Sequence, residues 1–388
     1  MSSASVRVGL SVASARTGNA QLANGVGCEQ SGEHAKVGLT LPSMNFCITD
    51  PLTDPRWDDL VAQHPLASPF HQRGWLQALY RTYGYKPFVL TSARNGEPMA
   101  DGVVLCHVSS WITGTRMVSL PFSDHCEPLL SDPRDLPEFT AWLRAECDAR
   151  RWKYVEVRPL SRIHDGNGGL HPSASYCFHE LDLRPGLDQL FRSLHKDSMQ
   201  RRIKRAERGK LSYTTGRSEI LADEFYRLMV RTRKRHQLLP QPRAWFKNLV
   251  EYMGDKAQIR VAATNGTPIA AMLTLTHGTS VTYKYGCSDE RLHNLGAMPF
   301  LFWRLIEESK ASGAERIDFG RSDLEQKGLI AFKDKLGTTK KMLEYYRYPQ
   351  ESKPVSAAWG EQVSRQVFAM LPNSISSAAG RLVYRHMG

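Results

Sequence analysis

One order of predicted elements occurs twice along this chain of 388 residues, and that repeat limits the fold more than any single motif does. A helix over residues 72–83 is followed by a hairpin, a strand, a helix and a closing strand at 154–157. The same order begins again with a helix over 221–235 and closes with a strand at 317–319. The offset of about 160 residues is the size of a domain. The sequence therefore predicts two similar domains of mixed α/β class.

Local signals support the elements of this repeat. Asn95-Gly96 and Asn265-Gly266 are pairs typical of a tight turn between two strands. In the first half, the apolar run over 117–122 predicts a further strand. Asp135, followed three residues later by Glu138, predicts a capping box at the start of the next helix.

The residues outside the repeat are predicted to form two terminal segments. Residues 1–44 contain no aromatic side chain and no lasting period, which is typical of a disordered leader. Residues 351–388 are predicted to be a helical tail. The predicted domains are then 45–180 and 181–350, and the second includes a strongly basic helix over 195–210.

Charge and cysteine content restrict the class of partner and compartment. The formal net charge of +12 favours an anionic partner such as nucleic acid, an anionic membrane surface or a phosphate-bearing substrate. The seven cysteines are scattered and form no Cys-x-x-Cys pair, which is typical of a reducing compartment. No metal-ligand spacing, secretory signal or membrane-spanning apolar run is found. We expect a cytoplasmic protein without a metal, possible contact with the inner face of the membrane being left open.

The segment over residues 316–346 contains the densest group of candidate site residues. It begins with Arg-Ile-Asp-Phe-Gly-Arg-Ser, which predicts a buried strand that stops at Gly320 and opens onto polar groups. Arg321 could bind a carboxylate or phosphate in bidentate fashion. The alternative is an ion pair with Asp318 or Asp323.

The motifs of the second half resemble those of the duplicated GNAT acyltransferases related to the FemAB peptidoglycan aminoacyltransferases. The motifs that match in order are Tyr285-Gly286, the helix from Gly296, Asp318-Phe319-Gly320-Arg321-Ser322, Gly328, Phe332-Lys333, Gly337 and Leu343-x-Tyr345. The first half is similar only in its order of elements. The resemblance implies two GNAT-like domains, each a mixed central sheet flanked by helices.

The resemblance also implies a reaction. GNAT and FemAB proteins transfer an acyl or aminoacyl group to an amine, from acyl-CoA or aminoacyl-tRNA as co-substrate and with no tightly bound cofactor. The acceptor expected here is a small-molecule or lipid-linked anionic amine of a cell-envelope or exopolysaccharide precursor. In this fold two neighbouring strands splay apart and expose amides, here at residues 282–286 and 317–320. Gly286 and Gly320 would then let the donor approach closely.

Three further positions gain roles from the resemblance. Lys333 is expected to stabilise the oxyanion that forms on the donor carbonyl, unless it is a surface lysine. Tyr285 is expected to donate a proton, unless it is a core aromatic. Arg291, Asn294 and Gly296 lie where relatives bind the pyrophosphate of coenzyme A, although Asn294 replaces a glycine of the usual pattern.

The first half and the basic helix supply the remaining candidates. Asp124 and His125 could act as a general base or a substrate clamp, and Glu156 and Arg158 are weaker candidates. The basic helix offers cations that could bind tRNA, a diphosphate or an anionic membrane, or could merely be solvated: Lys196, Arg201 and Arg205.

The sequence also allows two interpretations in which the protein is not an enzyme. The first is a nucleic-acid-binding protein on a decayed GNAT fold, favoured by the basic helix and the net charge. The second is an envelope-assembly scaffold that docks on anionic lipid.

Overall fold

A twelve-stranded sheet runs through the part of the chain that the structure describes. In this computed structural model that part comprises residues 45–163, 169–350, 380 and 383–387. The predicted leader over 1–44 and most of the predicted tail therefore lie outside the described residues. Residues 383–387 are helical, in agreement with the tail prediction at that point.

The strands lie in the order β1-β2-β3-β4-β5-β12-β6-β11-β10-β9-β8-β7 across the sheet. In chain order they are β1 (Cys47–Thr49), β2 (Lys86–Thr91), β3 (Val103–Val108), β4 (Arg116–Val118), β5 (Val155–Val157), β6 (His171–Asp182), β7 (Ser212–Gly216), β8 (Ala257–Thr264), β9 (Thr267–His277), β10 (Ser280–Ser288), β11 (Arg316–Asp323) and β12 (Thr339–Tyr348).

The helices flank this sheet and match most of the predicted ones. In chain order they are α1 (Pro55–Gln63), α2 (Arg73–Tyr83), α3 (Leu136–Ala149), α4 (Leu187–Ser193), α5 (Arg201–Arg208), α6 (Glu219–Arg235), α7 (Arg243–Met253), α8 (Ala297–Ala311) and α9 (Lys327–Asp334). A π-helical turn, Lys196–Gln200, leads into α5 and completes the predicted basic helix. None of these helices combines the length and apolar character needed to cross a membrane.

The sheet contains the predicted repeat. In each half an antiparallel meander ends in one parallel pair, β4 with β5 in the first half and β10 with β11 in the second. The two central strands interlock the halves, because β6 pairs with β11 while β12 pairs with both β5 and β6. The predicted mixed α/β class is confirmed. The predicted domain boundary falls near the end of β6 and stays a prediction.

The helix next to the site forms as its sequence predicts. In α2 the large side chains of Trp75, Leu76, Leu79 and Tyr83 recur at helical spacing and are buried. Gly84, with a φ of 75°, ends the helix in the left-handed region. Trp75 packs edge-on against Trp245 of α7 at a centroid distance of 5.1 Å, so one apolar core joins the two halves on this face.

Three local predictions are wrong. The strand predicted over 117–122 ends at Val118, because Leu120 and Phe122 have φ values of 59° and 62° and turn the chain out of the sheet. The capping box at Asp135 does not form, because the Asp135 side chain makes no cap hydrogen bond. The strand predicted to stop at Gly320 continues as β11 to Asp323.

Candidate active site

The parallel strands β10 and β11 separate within the sheet, as the resemblance predicts. Their pairing extends from Ser280 with Arg316 to Thr282 with Asp318, although both strands continue beyond that point. Just past the last pair, β10 is irregular between residues 283 and 285, and β11 between 318 and 321. We call residues 282–286 and 318–321 the β10–β11 opening. Such irregularities often lie next to active sites, because they redirect side chains.

Gly320 allows a residue of the first half to enter this opening. Its φ is 67°, and a Cβ at this position would lie 2.9 Å from Oδ2 of Asp124. The Gly320 amide, predicted to face the donor, instead donates to Oδ1 of Asp318 at 2.6 Å. The glycine is therefore required by the approach of Asp124 and by the backbone, and its N–H is already occupied.

Lys333 of α9 holds an ammonium group at the same edge. Its Nζ donates to the carbonyl oxygens of Gly320 and Arg321, both at 3.1 Å. The residue is only 4% exposed, which excludes the surface-lysine alternative. Burial lowers the pKa of Lys333 to about 8, against the opposing attraction of Asp124 and Asp318. An ammonium has three N–H donors, so one is left for a ligand oxygen.

Asp124 forms a buried ion pair that sequence reasoning did not find. Nζ of Lys284 donates to its Oδ2 at 2.8 Å, and the lysine lies within 6 Å of the rings of Phe70, Trp75 and Tyr285. Burial acts to raise the pKa of Asp124, but the charge and hydrogen bond of Lys284 together with the charges of Arg321 and Lys333 lower the pKa below its ordinary value. A carboxylate held in its charged form is a weak proton acceptor. The geometry therefore suits Asp124 to a clamp more than to a general base.

His125 and Asp318 form a second buried pair in the opening. Nε2 of His125 lies 2.8 Å from Oδ2 of Asp318, and both side chains are almost fully buried. Nδ1 of His125 has no hydrogen-bond partner among the described residues. This pairing occupies Asp318, which was one of the two predicted ion-pair partners of Arg321.

Arg321 makes no ion pair with any carboxylate of the described residues. Its guanidinium packs against two tyrosine rings, with Cζ 4.0 Å from the centroid of Tyr176 and 5.1 Å from that of Tyr345. Nη1 is buried and has no hydrogen-bond partner within the described part of the chain. The alternative of an ion pair with Asp318 or Asp323 is thus not what the structure has.

Two residues predicted at the site serve the core instead. The Tyr285 hydroxyl accepts from Nε1 of Trp245 at 3.0 Å, and burial raises the pKa of this phenol. Those contacts are those of the core aromatic that was the alternative for Tyr285. At Gly286 a Cβ would overlap the hydroxyl of Tyr283, so the glycine makes room for that side chain.

The predicted phosphate loop and the basic helix lie against each other. Gly296 has a φ of 79°, and a Cβ there would overlap the backbone oxygen of Arg202 in α5. Nη1 of Arg205 donates to the main-chain carbonyl oxygen of Asn294 at 3.1 Å. Nη2 of Arg291 forms an ion pair with Oδ2 of Asp289 at 2.8 Å. The exposed cations of α5 thus border the loop that precedes α8, while Arg291 is tied to its own turn.

The further cations predicted on this surface are Lys196 and Arg201. Both are exposed, and Arg201 pairs with Asp197 at 2.8 Å across one helical turn. No described hydrogen bond joins either residue to the β10–β11 opening. Their role stays a prediction.

The equivalent strand pair of the first half is closed. Pairing ends at Val118 with Glu156, but backbone hydrogen bonds continue past it. The Ser119 amide donates to the main-chain oxygen of Glu156 at 2.8 Å, and the Cys126 amide donates to that of Arg158 at 2.6 Å. The Glu156 carboxylate pairs with Arg158 at 2.7 Å and with Arg347 at 2.6 Å. No open donor is left at this edge by the hydrogen bonds among the described residues.

Comparison with known proteins agrees with this geometry. Residues 193–333 match the acetyltransferase (GNAT) domain family. The structure of FemX is similar over 79% of this chain and 97% of its own, with 15% identity and a TM-score of 0.61. The structure of L-PGS from Bacillus licheniformis is similar over 82% of this chain and 98% of its own, with 15% identity and a TM-score of 0.51.

A conserved protein of unknown function from Bacteroides thetaiotaomicron is similar to the same degree, with 15% identity and a TM-score of 0.51 over 78% of this chain and 99% of its own. The comparison with curated protein sequences found no match. Residues 193–333 thus match a GNAT acetyltransferase domain and the chain is similar in fold to FemX, in agreement with the predicted family, fold class and enzyme class.

Proposed function

We propose that this protein transfers an acyl or aminoacyl group to an amine of a cell-envelope or exopolysaccharide precursor. The buried ammonium of Lys333 at the β10–β11 opening is the observation that supports it most strongly. A cation fixed where little water reaches stabilises developing negative charge far better than a solvated one does. The third N–H of Lys333 would donate to the carbonyl oxygen of the donor as that oxygen becomes an oxyanion.

The reaction forms one bond and breaks one bond. The neutral amine nitrogen attacks the donor carbonyl carbon and forms a C–N bond. The carbonyl oxygen gains charge beside Lys333, and then the C–S bond of a thioester or the C–O bond of an ester breaks. The amine gives up one proton, and the leaving sulfur or oxygen takes one up. Asp124 and Lys284 form an ion pair 2.8 Å apart, and this pair lines the side of the opening that faces Gly320.

Two features support an anionic donor, acyl-CoA or aminoacyl-tRNA. The loop that ends at Gly296 precedes the amides at the start of α8, and helix N-termini stabilise phosphate. The exposed Arg205 of α5 contacts that loop and the exposed Arg201 lies one helical turn earlier, so both would be available to donor phosphates. The match to the GNAT domain supports acyl-CoA, and the resemblance to the FemAB group supports aminoacyl-tRNA.

The envelope role and the location rest on the same resemblance. FemAB-related proteins act on peptidoglycan precursors, so we propose an acceptor of that kind, met in the cytoplasm at the inner face of the membrane. The exposed cations of the basic helix, Lys196 among them, support contact with tRNA or with anionic lipid.

A donor screen tests this proposal. The full chain is heated with acetyl-CoA, longer acyl-CoA thioesters or aminoacyl-tRNA, and transfer to amines is measured in parallel. A ligand that binds only the folded state raises the melting temperature, so one donor class is expected to do so and to support transfer. Failure of every donor in both measurements would contradict the proposal. Salt-sensitive binding of unrelated RNAs without any transfer would favour the nucleic-acid-binding alternative.

A further inference from the structure

We infer that the acceptor carries a carboxylate or phosphate group close to its amine, and that Arg321 binds this group on a platform of Tyr176 and Tyr345. The inference rests on the proposed function, because it names the class of amine that the same site accepts. It is carried by the charge balance around the opening, by the surroundings of Arg321 and by the face of the sheet on which Arg321 lies.

The charges around the opening do not balance. Both carboxylates at the opening already have a basic partner: Asp124 pairs with Lys284, and Asp318 pairs with His125. Arg321 and Lys333 form no ion pair with a carboxylate within residues 45–163 and 169–350. Lys333 donates to the main-chain oxygen of Arg321, so its ammonium lies against the backbone that carries Arg321. An anionic ligand would supply the missing charge.

The surroundings of Arg321 leave it suited to an oxyanion. Its guanidinium is largely buried and rests against the rings of Tyr176 and Tyr345, which partly offsets the loss of water. Burying a polar N–H without a partner is costly, and Nη1 has none among the described residues. Ring contacts occupy the flat face of the guanidinium and leave its N–H edge, which matches the two oxygens of a carboxylate or phosphate.

The position of Arg321 assigns the anion to the acceptor and not to the donor. Arg321 is opposite Phe178 in the β11–β6 register, and Phe178 packs against His125 at 5.7 Å. This face of the sheet therefore points toward the loop from the first half. Phe319, inside the β11 irregularity between residues 318 and 321, lies in the cluster that includes α8, and the phosphate loop ends at the start of that helix. Donor phosphates at that loop and an anion at Arg321 would then occupy opposite faces of the sheet.

The geometry also links the anion to the reacting centre. The Tyr345 hydroxyl donates to the main-chain carbonyl oxygen of Asp124 at 2.7 Å, and the Asp124 carboxylate lies next to Gly320. An acceptor anchored at Arg321 would thus present its amine along the edge where Lys333 holds the donor carbonyl. A short spacing between anion and amine follows, as in an amino acid or an aminoalkyl phosphate.

Two matched pairs of small amines test the inference with the donor that supports transfer. β-Alanine is compared with β-alaninamide, and 2-aminoethyl phosphate with ethanolamine. We expect kcat/KM to be at least about tenfold higher for the anionic member of one pair, since a buried charge-assisted contact is being made or lost. Preference within the first pair identifies a carboxylate acceptor, and preference within the second a phosphate acceptor.

Variants of Arg321 provide the second arm. Arg321→Gln should abolish the preference for the anionic amine while transfer to the neutral amine persists, and Arg321→Lys should retain part of it. Arg162→Gln is the matched control, because Arg162 is 74% exposed and pairs with Glu344. Equal rates for the anionic and neutral members of both pairs in the wild type, or equal loss on both in Arg321→Gln, would overturn the inference.

A binding measurement distinguishes failure of the anion-site inference from failure of the proposed acyltransferase function. β-Alanine and 2-aminoethyl phosphate are titrated in thermal-shift assays of the wild type and of Arg321→Lys, without any donor. One of them should raise the melting temperature of the wild type more than that of the variant. That result without any transfer would support the anion site and count against the acyltransferase proposal. No difference between the two proteins would count against the anion site.

Discussion

The parallel pairs β4–β5 and β10–β11 separate at equivalent positions, but they are filled in different ways. Pairing ends at Val118 with Glu156 in the first half and at Thr282 with Asp318 in the second. Backbone amides of the following loop close the first opening. Side chains of that same loop, Asp124 and His125, reach the second.

This difference shows how a repeated fold can divide its work. In the first half the Glu156 carboxylate pairs with both Arg158 and Arg347, and backbone hydrogen bonds join the strand ends. In the second half Lys333 and Arg321 keep their charges without a carboxylate partner among the described residues. We propose that the first opening maintains the structure and that the second binds the reactants.

The largest effect on stability is expected from a substitution in the first opening, which is closed. Glu156→Gln would remove a buried carboxylate charge that pairs with both Arg158 and Arg347, so the free energy of unfolding should fall by about 3–5 kcal/mol. Denaturant unfolding followed by circular dichroism measures this change. Arg162→Gln, which breaks a largely exposed pair, should cost under about 1 kcal/mol. Equal losses in the two variants would show that the Glu156 network is not what holds the first opening closed.

A smaller loss is expected at the glycine of the second opening. Gly320→Ala must keep a φ of 67° and displace the Asp124 carboxylate, so we expect the stability to fall by about 1–3 kcal/mol. Gly266→Ala is the matched control, because Gly266 has a φ of 73° with open space around its Cβ position. The difference between the two alanine variants isolates the contact with Asp124. No difference would mean that the loop moves aside freely.

The pH dependence of transfer should report the charge on Lys333. Its pKa is lowered to about 8, so the ammonium loses its proton as the pH rises through that value. Transfer should therefore decline above about pH 8. The charged groups that face Lys333 are Asp124, Asp318 and Lys284. In Lys333→Arg the guanidinium stays charged, so the decline should vanish although the rate is lower. A decline that persists in this variant would assign it to another group.

The smallest effect is expected on the surface of the basic helix. Arg205→Gln should raise the KM of the donor by roughly threefold at low salt, because an exposed contact to phosphate is lost. The effect should fade at high salt, where exposed charges are screened. Steady-state kinetics at two salt concentrations measure it. A change in kcat with unaltered KM would place Arg205 elsewhere in the mechanism.

Strong periodicity made most of the fold predictable from the sequence. The helix predicted over 221–235 lies within α6, which begins two residues earlier and ends at the same residue, because its apolar residues recur at helical spacing. β6 and β12 were not predicted. β6 mixes polar and apolar residues without regular alternation, and it forms through pairing with β11 and β12, which are distant in sequence.

The candidate site was predictable in part. Phe332-Lys333 pointed to Lys333 through the family resemblance, and Asp124 was named for its place after a strand. Lys284 was missed, although a lysine within the aromatic run of β10 is an unusual signal for a buried charge. The sequence could not reveal that the Gly320 amide is occupied, because its bond to Asp318 depends on the local backbone geometry of β11. Nor could it reveal that Arg321 lacks an ion pair, because Asp318 pairs with His125, which is far away along the chain.

The most direct test of the second opening is the transfer rate of Lys333→Ala. Lys327→Ala is its control, since Lys327 is an exposed lysine on the same helix. We predict that the Lys333 variant loses at least about tenfold in turnover, as expected for one oxyanion donor, while it still unfolds cooperatively and binds the donor. An unchanged rate in Lys333→Ala, or an equal loss in Lys327→Ala, would contradict the assignment of the chemistry to this opening.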